Sequence, residues 1–184
     1  GYTDAQFLSK IKLIRDGQIT KAAFVLLGDA DYDDLLEFTP MIMWRLYDSK
    51  GSTIDHSIFR IPFILAVDKV YGKVRNLTYR YLPNQMTLFP TETQQYDPWL
   101  LRELLNNCIA HQDYTAGRRI YVDEFEDHIQ LSNAGNFLPG DIKPVLEPAY
   151  APPYYRNPLL AQAMVNFKMI DTAAMGIRRV FSIQ

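Results

Sequence analysis

The residues with the clearest chemical potential are spaced four apart in one segment. They are Glu103, Asn107 and His111, within the run from Arg102 to Gln112. An α-helix turns 3.6 residues per cycle, so a step of four residues drifts only about 40° around the axis. The three polar side chains therefore share one stripe of a helix. Most of the remaining helix surface is apolar, formed by Leu101, Leu104, Leu105, Cys108 and Ile109.

A helix this apolar is expected to be buried, so its carboxylate and amide must find partners. For Asn107, contact with a metal ion or ligand is favoured over a bond to the backbone of a neighbouring strand, because Glu103 lies one turn away. Glu103 is as consistent with catalysis as with an ion pair. The candidate ion-pair partners are Arg102, Arg118 and Arg119.

The histidines favour structural interpretations. His111 falls near the predicted helix end, where it is more consistent with capping carbonyl groups than with catalysis. His56 and His128 have no neighbours at metal-ligand spacing and are expected at the surface. With three histidines and one cysteine in the chain, the sequence argues against a zinc site.

Composition indicates a globular chain of one domain, or one domain with an extension. The 184 residues are 48% hydrophobic and 13% aromatic, which excludes a disordered protein. A net charge of −2 gives no overall electrostatic footprint for nucleic acid. The single Cys108 cannot form an internal disulfide, which favours a reducing, cytoplasmic setting. No apolar run is long enough for a transmembrane helix, and no membrane partner is expected.

The elements predicted from patterning interleave hairpins with helices. Helices are expected at 4–15, 62–75, 98–112, 157–167 and 172–181, and strands at 22–28, 41–47, 53–59, 77–82, 118–125 and 128–132. Segments 83–95 and 133–155 are rich in proline or polar residues and are expected as loops. This order predicts an α+β fold of two layers, a mixed sheet with helices on one face.

One family resemblance lies in the predicted motif helix. Residues 102–114 read Arg-Glu-Leu-Leu-Asn-Asn-Cys-Ile-Ala-His-Gln-Asp-Tyr. This run resembles a helix of RecG-related ATP-dependent DNA helicases or transcriptional regulators from bacteria, typically Arg-Glu-x-x-x-Asn-Ala-x-x-His-Arg-Asp-Tyr. Their C-terminal half is a divergent ATPase domain of the superfamily that includes gyrase, heat-shock chaperones, histidine kinases and MutL (GHKL). Cys108 and Gln112 depart from the pattern conservatively.

Three further segments extend the resemblance over residues 19–181. Residues 19–28 look like the family's strand that ends in a glycine, and residues 129–135 look like its Ile-Ser-Asn-Pro-Gly strand exit. Residues 156–160 look like the Arg-Asn-Pro start of the next helix. The resemblance implies a GHKL-like domain at 19–184, preceded at 1–18 by a helical lead-in from an N-terminal domain. The initial glycine likewise leads us to expect a piece of a longer protein.

The resemblance implies site roles for the matching positions. Asn107 would coordinate a Mg²⁺ that bridges the phosphates of ATP, and Glu103 would orient or deprotonate the attacking water. The loop after strand 129–133 would receive the adenine, with Gly135 allowing close backbone approach. The remaining nucleotide-contacting positions implied are His111, Asn133, Arg156 and Gly176.

Two departures favour a second interpretation. In the wider superfamily an aspartate binds adenine where this chain has Asn133. The family's Gly-x-Gly-Ile motif here reads Ala174-Met175-Gly176-Ile177, so a Cβ and a Met side chain would crowd a phosphate. The alternative is a degenerate scaffold that binds no nucleotide and mediates dimerisation or partner contact.

The function predicted first is therefore a nucleotide-binding regulatory module, with weak ATPase activity left open. No Gly-x-x-x-x-Gly-Lys-Ser/Thr loop is present, so motor-type helicase activity is not encoded in this segment. DNA contact would come only through domains outside it, and a homodimer is an expected assembly.

Overall fold

A computed structural model describes residues 2–81, 90–141, 143–147 and 154–170 of the chain. The elements in chain order are α1 (Asp4–Lys10), β1 (Ile14–Arg15), β2 (Gln18–Ile19), α2 (Lys21–Leu27), a 3-10 helix (Ala30–Leu35), β3 (Met41–Tyr47), β4 (Thr53–Arg60), α3 (Phe63–Lys73), β5 (Thr78–Tyr81), β6 (Thr91–Gln94), α4 (Pro98–His111), β7 (Ile120–Glu124), β8 (Ile129–Ser132), α5 (Lys143–Leu146) and α6 (Pro158–Asn166).

The central sheet is mixed and has four strands in the order β4-β3-β7-β8. β3 pairs antiparallel with β4 and parallel with β7, and β8 closes the other edge antiparallel to β7. Alternate residues of β3, Ile42, Trp44 and Leu46, are buried on the face that packs against α3. α4 packs beside β7 and β8. The predicted α+β fold, a mixed sheet layered with helices, is confirmed.

The hydrophobic core extends into the N-terminal segment. Ile11 and Leu13 are 7% and 0% exposed and belong to the same core cluster as Trp44 and Ile109. The proposed domain boundary at residues 18/19 stays a prediction, but the residues before it contribute to the core of the fold. Among the described residues, no helix is long and apolar enough to cross a membrane.

The strand predicted at 22–28 is wrong, because these residues form helix α2. A short apolar run fits both a buried strand and a buried helix, and only local capping separates the two. Thr20 supplies that cap, since its hydroxyl oxygen accepts a hydrogen bond from the Ala23 N–H at 3.2 Å. The likeness of residues 19–28 to a family strand is corrected accordingly, although Gly28 does end the element.

Three other predicted segments also differ from the structure. The helix predicted at 4–15 ends at Lys10, because Lys12, Asp16 and Gly17 adopt positive φ angles and residues 14–19 turn into a two-stranded hairpin. β5 and β6 pair in a separate two-stranded sheet, so the predicted loop 83–95 contains a strand. The predicted loop 133–155 contains the short helix α5. The helix predicted at 172–181 lies outside the described residues.

Candidate functional site

Helix α4 positions the predicted site residues, and its start is set by local sequence. The Asp97 carboxylate accepts hydrogen bonds from the backbone N–H groups of Trp99 and Leu100 at 2.8 and 3.4 Å. Pro98 occupies the first turn, where its missing N–H is harmless. One side of the helix is buried in the core through Leu105, Cys108 and Ile109. This anchoring fixes which way the Glu103 and Asn107 side chains project.

Glu103 and Asn107 form a hydrogen-bonded couple along the helix. The Asn107 Nδ2 group donates to Glu103 Oε1 at 3.0 Å and to the Glu103 carbonyl oxygen at 2.8 Å. Glu103 is only 8% exposed, whereas Asn107 is half-buried. Because the amide nitrogen is committed to Glu103, the amide oxygen is the atom of Asn107 available to a ligand. The predicted helical stripe is thus real for these two residues.

A cavity of about 510 Å³, here called the first cavity, lies beside Glu103. Its lining comes from α4 and from the end of α6, and consists of Trp99, Arg102, Glu103, Val165, Lys168, Met169 and Ile170. Lys168 is exposed and Arg102 is paired with Asp68, so the lining of the cavity contains two cations besides the Glu103 carboxylate. Asn107 does not line this cavity. The site around Glu103 is therefore roomy and carries both signs of charge.

The C-terminal end of α4 is held by a dense set of hydrogen bonds. Gln112, 2% exposed, donates from Nε2 to the Arg118 carbonyl at 2.6 Å and accepts from the Ala134 N–H at 2.7 Å. The Asn157 amide donates to the carbonyl oxygens of Ala110 and Gln112 at 3.0 and 2.8 Å. The helix end, the start of β7 and the exit of β8 are thereby joined to the start of α6.

The structure brings His111, Gly135 and Arg156 together at this same end. Gly135 has φ +115°, and a Cβ there would lie 2.9 Å from the Arg156 guanidinium. Nη2 of Arg156 donates to the carbonyl and side-chain oxygens of Asn136 at 2.9 and 2.6 Å. The close approach that Gly135 permits is therefore made by an arginine of the same chain.

His111 lies in a setting that favours its neutral form. Its ring stacks near that of Tyr155, with 6.2 Å between ring centroids. Burial lowers the pKa of His111 below its usual 6.5, and the positive charge of Arg156 lowers this pKa further. At neutral pH the His111 ring is therefore uncharged, and it packs at the end of the helix.

The other predicted positions are more peripheral. Asn133 follows β8 and donates from Nδ2 to the Ala134 carbonyl at 3.0 Å. Gly176 lies outside the described residues. Across the described ranges, no group of three or more His, Cys, Asp or Glu side chains is arranged to hold a metal ion. A magnesium site here would rest on Asn107 with waters and phosphate oxygens as the other ligands.

Sequence reasoning missed the residue next to Asn107. Asn106 is 1% exposed and donates from Nδ2 to the Met169 carbonyl at 2.6 Å. Its Oδ1 is buried with no hydrogen-bond partner. Asn106 therefore points toward the end of α6, whereas Asn107 bonds to Glu103 along α4. The only sequence signal for this difference is that the two residues lie on different faces of the helix. Lys168 was also missed, because nothing near it in sequence marks it.

The structure defines an α+β domain built on a mixed four-stranded sheet. Residues 117–183 match the protein family described as "Putative ATP-dependent DNA helicase recG C-terminal". This match confirms the RecG-related resemblance, although Glu103 and Asn107 precede the matched segment.

A solved structure shares this fold. The DIP2311 protein from Corynebacterium diphtheriae superposes with a TM-score of 0.75 at 17% sequence identity, over 96% of this chain and 35% of that chain. The chain thus spans about a third of that protein's length. At this identity the likeness concerns the fold alone. No curated protein matches the chain.

Proposed function

We propose that this domain binds ATP together with Mg²⁺ and acts as a regulatory module of a RecG-related protein. The observation that carries the proposal is the Glu103–Asn107 couple, with Glu103 at the wall of the first cavity. Mg²⁺ prefers oxygen ligands and keeps several waters, so the one amide oxygen of Asn107 suffices as a protein ligand. Because the Asn107 Nδ2 group is bonded to Glu103, the Asn107 Oδ1 atom fits this role, with Glu103 and not Asn107 at the wall of the first cavity.

Each charged residue near the couple has a part in this proposal. Bound Mg²⁺ would neutralise charge on the phosphates. Lys168, on the first cavity, would add positive charge where a triphosphate meets the Glu103 carboxylate. Glu103 would accept a hydrogen bond, and then a proton, from a water molecule next to the terminal phosphate.

A scaffold without nucleotide is the second candidate, and one contact favours it. The Arg156 guanidinium covers Gly135, at the strand exit where the resemblance implies adenine. Adenine contact there requires Arg156 to move or to stack on the base. If it does neither, the domain retains the fold and mediates dimerisation or partner contact.

Calorimetric titration with ATP and with a non-hydrolysable analogue, each with and without Mg²⁺, tests the proposal. We expect magnesium-dependent binding that Asn107→Ala weakens by at least about tenfold, or about 1.4 kcal/mol. Gln162→Ala removes an amide from the exposed face of α6 and serves as the matched control. It should leave affinity unchanged.

Absence of wild-type binding at millimolar nucleotide, with the protein folded by circular dichroism, would establish the scaffold candidate instead. If binding is present, Glu103→Gln separates binding from hydrolysis. It should keep nucleotide affinity and lower any ATPase rate by about 100-fold, the usual size of a general-base contribution.

The wider role is part of the same proposal. DNA contact would come through segments beyond these 184 residues, a second copy of the chain is the expected protein partner, and the setting is the cytoplasm. Sedimentation with and without the non-hydrolysable analogue would show whether nucleotide promotes a dimer.

A further inference from the structure

A second cavity, of about 520 Å³, lies beyond the C-terminal end of α4. It is enclosed by the start of α2, the segment 36–40, the turn 113–115 and the start of α6. The apolar part of its lining, here called the floor, includes Val25, Leu36, Phe38, Leu159 and Leu160. Glu103 and Asn107 do not line it. A cavity of this size with an apolar floor and a few polar groups is the usual form of a small-molecule site.

Two polar groups at this second cavity retain bonding capacity. The Oδ1 atom of Asp113 accepts from the Thr115 N–H at 3.0 Å and from the Thr115 hydroxyl at 2.6 Å. The Oδ2 atom lies 3.8 Å from Nη1 of Arg156, beyond hydrogen-bond distance. The two groups therefore attract each other without being bonded. A ligand that gives Asp113 a donor and Arg156 an acceptor would complete both.

The charges around the second cavity balance. Lys21 and Arg156 supply two positive groups, and Glu37 and Asp113 supply two negative groups. Hydrogen bonds from the Thr115 hydroxyl and then from its backbone N–H lower the pKa of Asp113, so this carboxyl stays ionised at neutral pH. A purely anionic or purely cationic ligand would meet a like charge beside its partner, which disfavours both. A head group with both charges meets an opposite charge on each side.

We propose that the second cavity binds a small zwitterion with a large apolar body, of the chemical class of the apolar amino acids. The ligand's carboxylate contacts Arg156, its ammonium group contacts Asp113, and its side chain lies on the floor formed by Leu36, Phe38 and Leu159. Charge-assisted hydrogen bonds of this type fix the orientation of the head group, and apolar burial adds affinity. The site does not include Glu103 or Asn107, and it shares only Arg156 with the adenine contact considered above.

The test uses isotope-labelled protein and NMR titration with leucine, phenylalanine and tryptophan as probes. At least one should shift the amide signals of Ala22, Thr115 and Leu159 in a saturable way. N-acetyl-tryptophan lacks the ammonium group and tryptophanamide lacks the carboxylate. We expect each to bind about tenfold or more weakly than tryptophan, the size of one lost charge-assisted bond.

Two variants locate the binding. Leu36→Trp fills the floor of the cavity, and Asp113→Asn removes the negative charge, so each should weaken binding by about tenfold or more. Asp55→Asn, on the exposed strand β4, is the matched control and should not change affinity. Circular dichroism confirms that each variant is folded.

Three results would overturn the inference. These are no saturable shift with any amino acid at millimolar concentration, equal affinity for the blocked analogues, and displacement of tryptophan by adenosine. The last result would make the second cavity part of the nucleotide site. Loss of ATP binding in Asn107→Ala has no bearing on this outcome, so the two proposals fail independently.

Discussion

The two ends of α4 carry polar side chains of similar type in opposite circumstances. At the C-terminal end, Gln112 bonds to the backbone of Arg118 and Ala134, and Asn157 of α6 donates to the backbone carbonyl of Ala110. In the N-terminal half, Glu103 and Asn107 bond to each other within the helix, and Glu103 faces the first cavity. The first arrangement consumes its polar groups in holding the fold, whereas the second leaves an amide oxygen for a ligand.

This difference separates structural from ligand-binding candidates better than residue type does. Glu103, Asn107 and His111 form a single stripe in the sequence. In the structure, the ring of His111 packs near that of Tyr155 at the C-terminal end of α4, here called the closed end. The charge of Arg156 helps to lower the pKa of His111 there. A buried polar residue whose hydrogen bonds are all made by protein is explained by stability alone. A polar residue beside a cavity needs a further explanation.

The largest stability effect is expected at the closed end. Gln112→Ala leaves the Arg118 carbonyl and the Ala134 N–H without their side-chain partner in a buried setting. Such a loss should lower the free energy of unfolding by about 2–4 kcal/mol. Urea denaturation measures it. Gln162→Ala, exposed on α6, should change stability by less than about 0.5 kcal/mol.

Equal effects of the two glutamine variants would remove the distinction between the ends of α4. The same holds if Asn107→Ala proves as destabilising as Gln112→Ala. That result would assign a structural role to the N-terminal half of α4 as well.

A second, smaller effect is expected at Gly135. A Cβ at this position would lie 2.9 Å from the guanidinium of Arg156, and the φ of +115° disfavours any L side chain. Gly135→Ala should therefore cost about 1–3 kcal/mol of unfolding free energy. Gly51→Ala is the control, because Gly51 also has a positive φ but a Cβ added there would have no atom within 4 Å.

The comparison of Gly135 with Gly51 isolates the contact from the backbone strain. A cost at Gly135 no larger than at Gly51 would show that Arg156 moves aside freely. An arginine that moves aside would also leave the strand exit open to adenine. This result would remove the contact that favours the scaffold candidate.

The smallest expected effect is a pH dependence from His111. Burial and the Arg156 charge lower its pKa in the folded state relative to 6.5 in the unfolded chain. The unfolded state therefore takes up a proton first as the pH falls. The stability contribution is present above pH 6.5 and is lost as pH falls toward the lower folded pKa.

Urea denaturation at about pH 7.5 and about pH 5.5 brackets this window. His111→Gln should flatten the difference, whereas His56→Gln, exposed on β4, should not. The lowered pKa values of Asp113 and Asp127 act below 3.8 and stay outside the measurement. An unchanged pH dependence in His111→Gln would place the titrating group elsewhere.

Sequence patterning predicted the fold and α4 because these depend on local signals. The polar stripe and the long apolar pattern predicted a helix at 98–112, and α4 spans Pro98–His111. The alternation of β3 matches its observed burial pattern. The strand prediction for segment 22–28 was wrong because a short apolar run shows no clear periodicity. The N-terminal cap at Thr20 stabilises a helix there instead.

The contacts at the candidate site were less predictable because they join distant segments. Gly135 and Arg156 were both singled out, but their contact spans the whole intervening loop and depends on how α6 returns to α4. In the sequence, Gln112 stands out only as a departure from the arginine of the family pattern. Its role follows from where the Arg118 carbonyl and the Ala134 N–H come to lie.

The positions of the two tryptophans give the protein a pair of separate optical reporters. Trp44 is 2% exposed in the sheet, with its indole N–H bonded to the buried Glu124 at 3.1 Å. Trp99 is half-buried on the wall of the first cavity. Emission from Trp44 should change only when the sheet unfolds, while Trp99 should respond to whatever enters beside Glu103. With Trp44→Phe or Trp99→Phe, one fluorescence instrument can distinguish occupancy from unfolding without any added label.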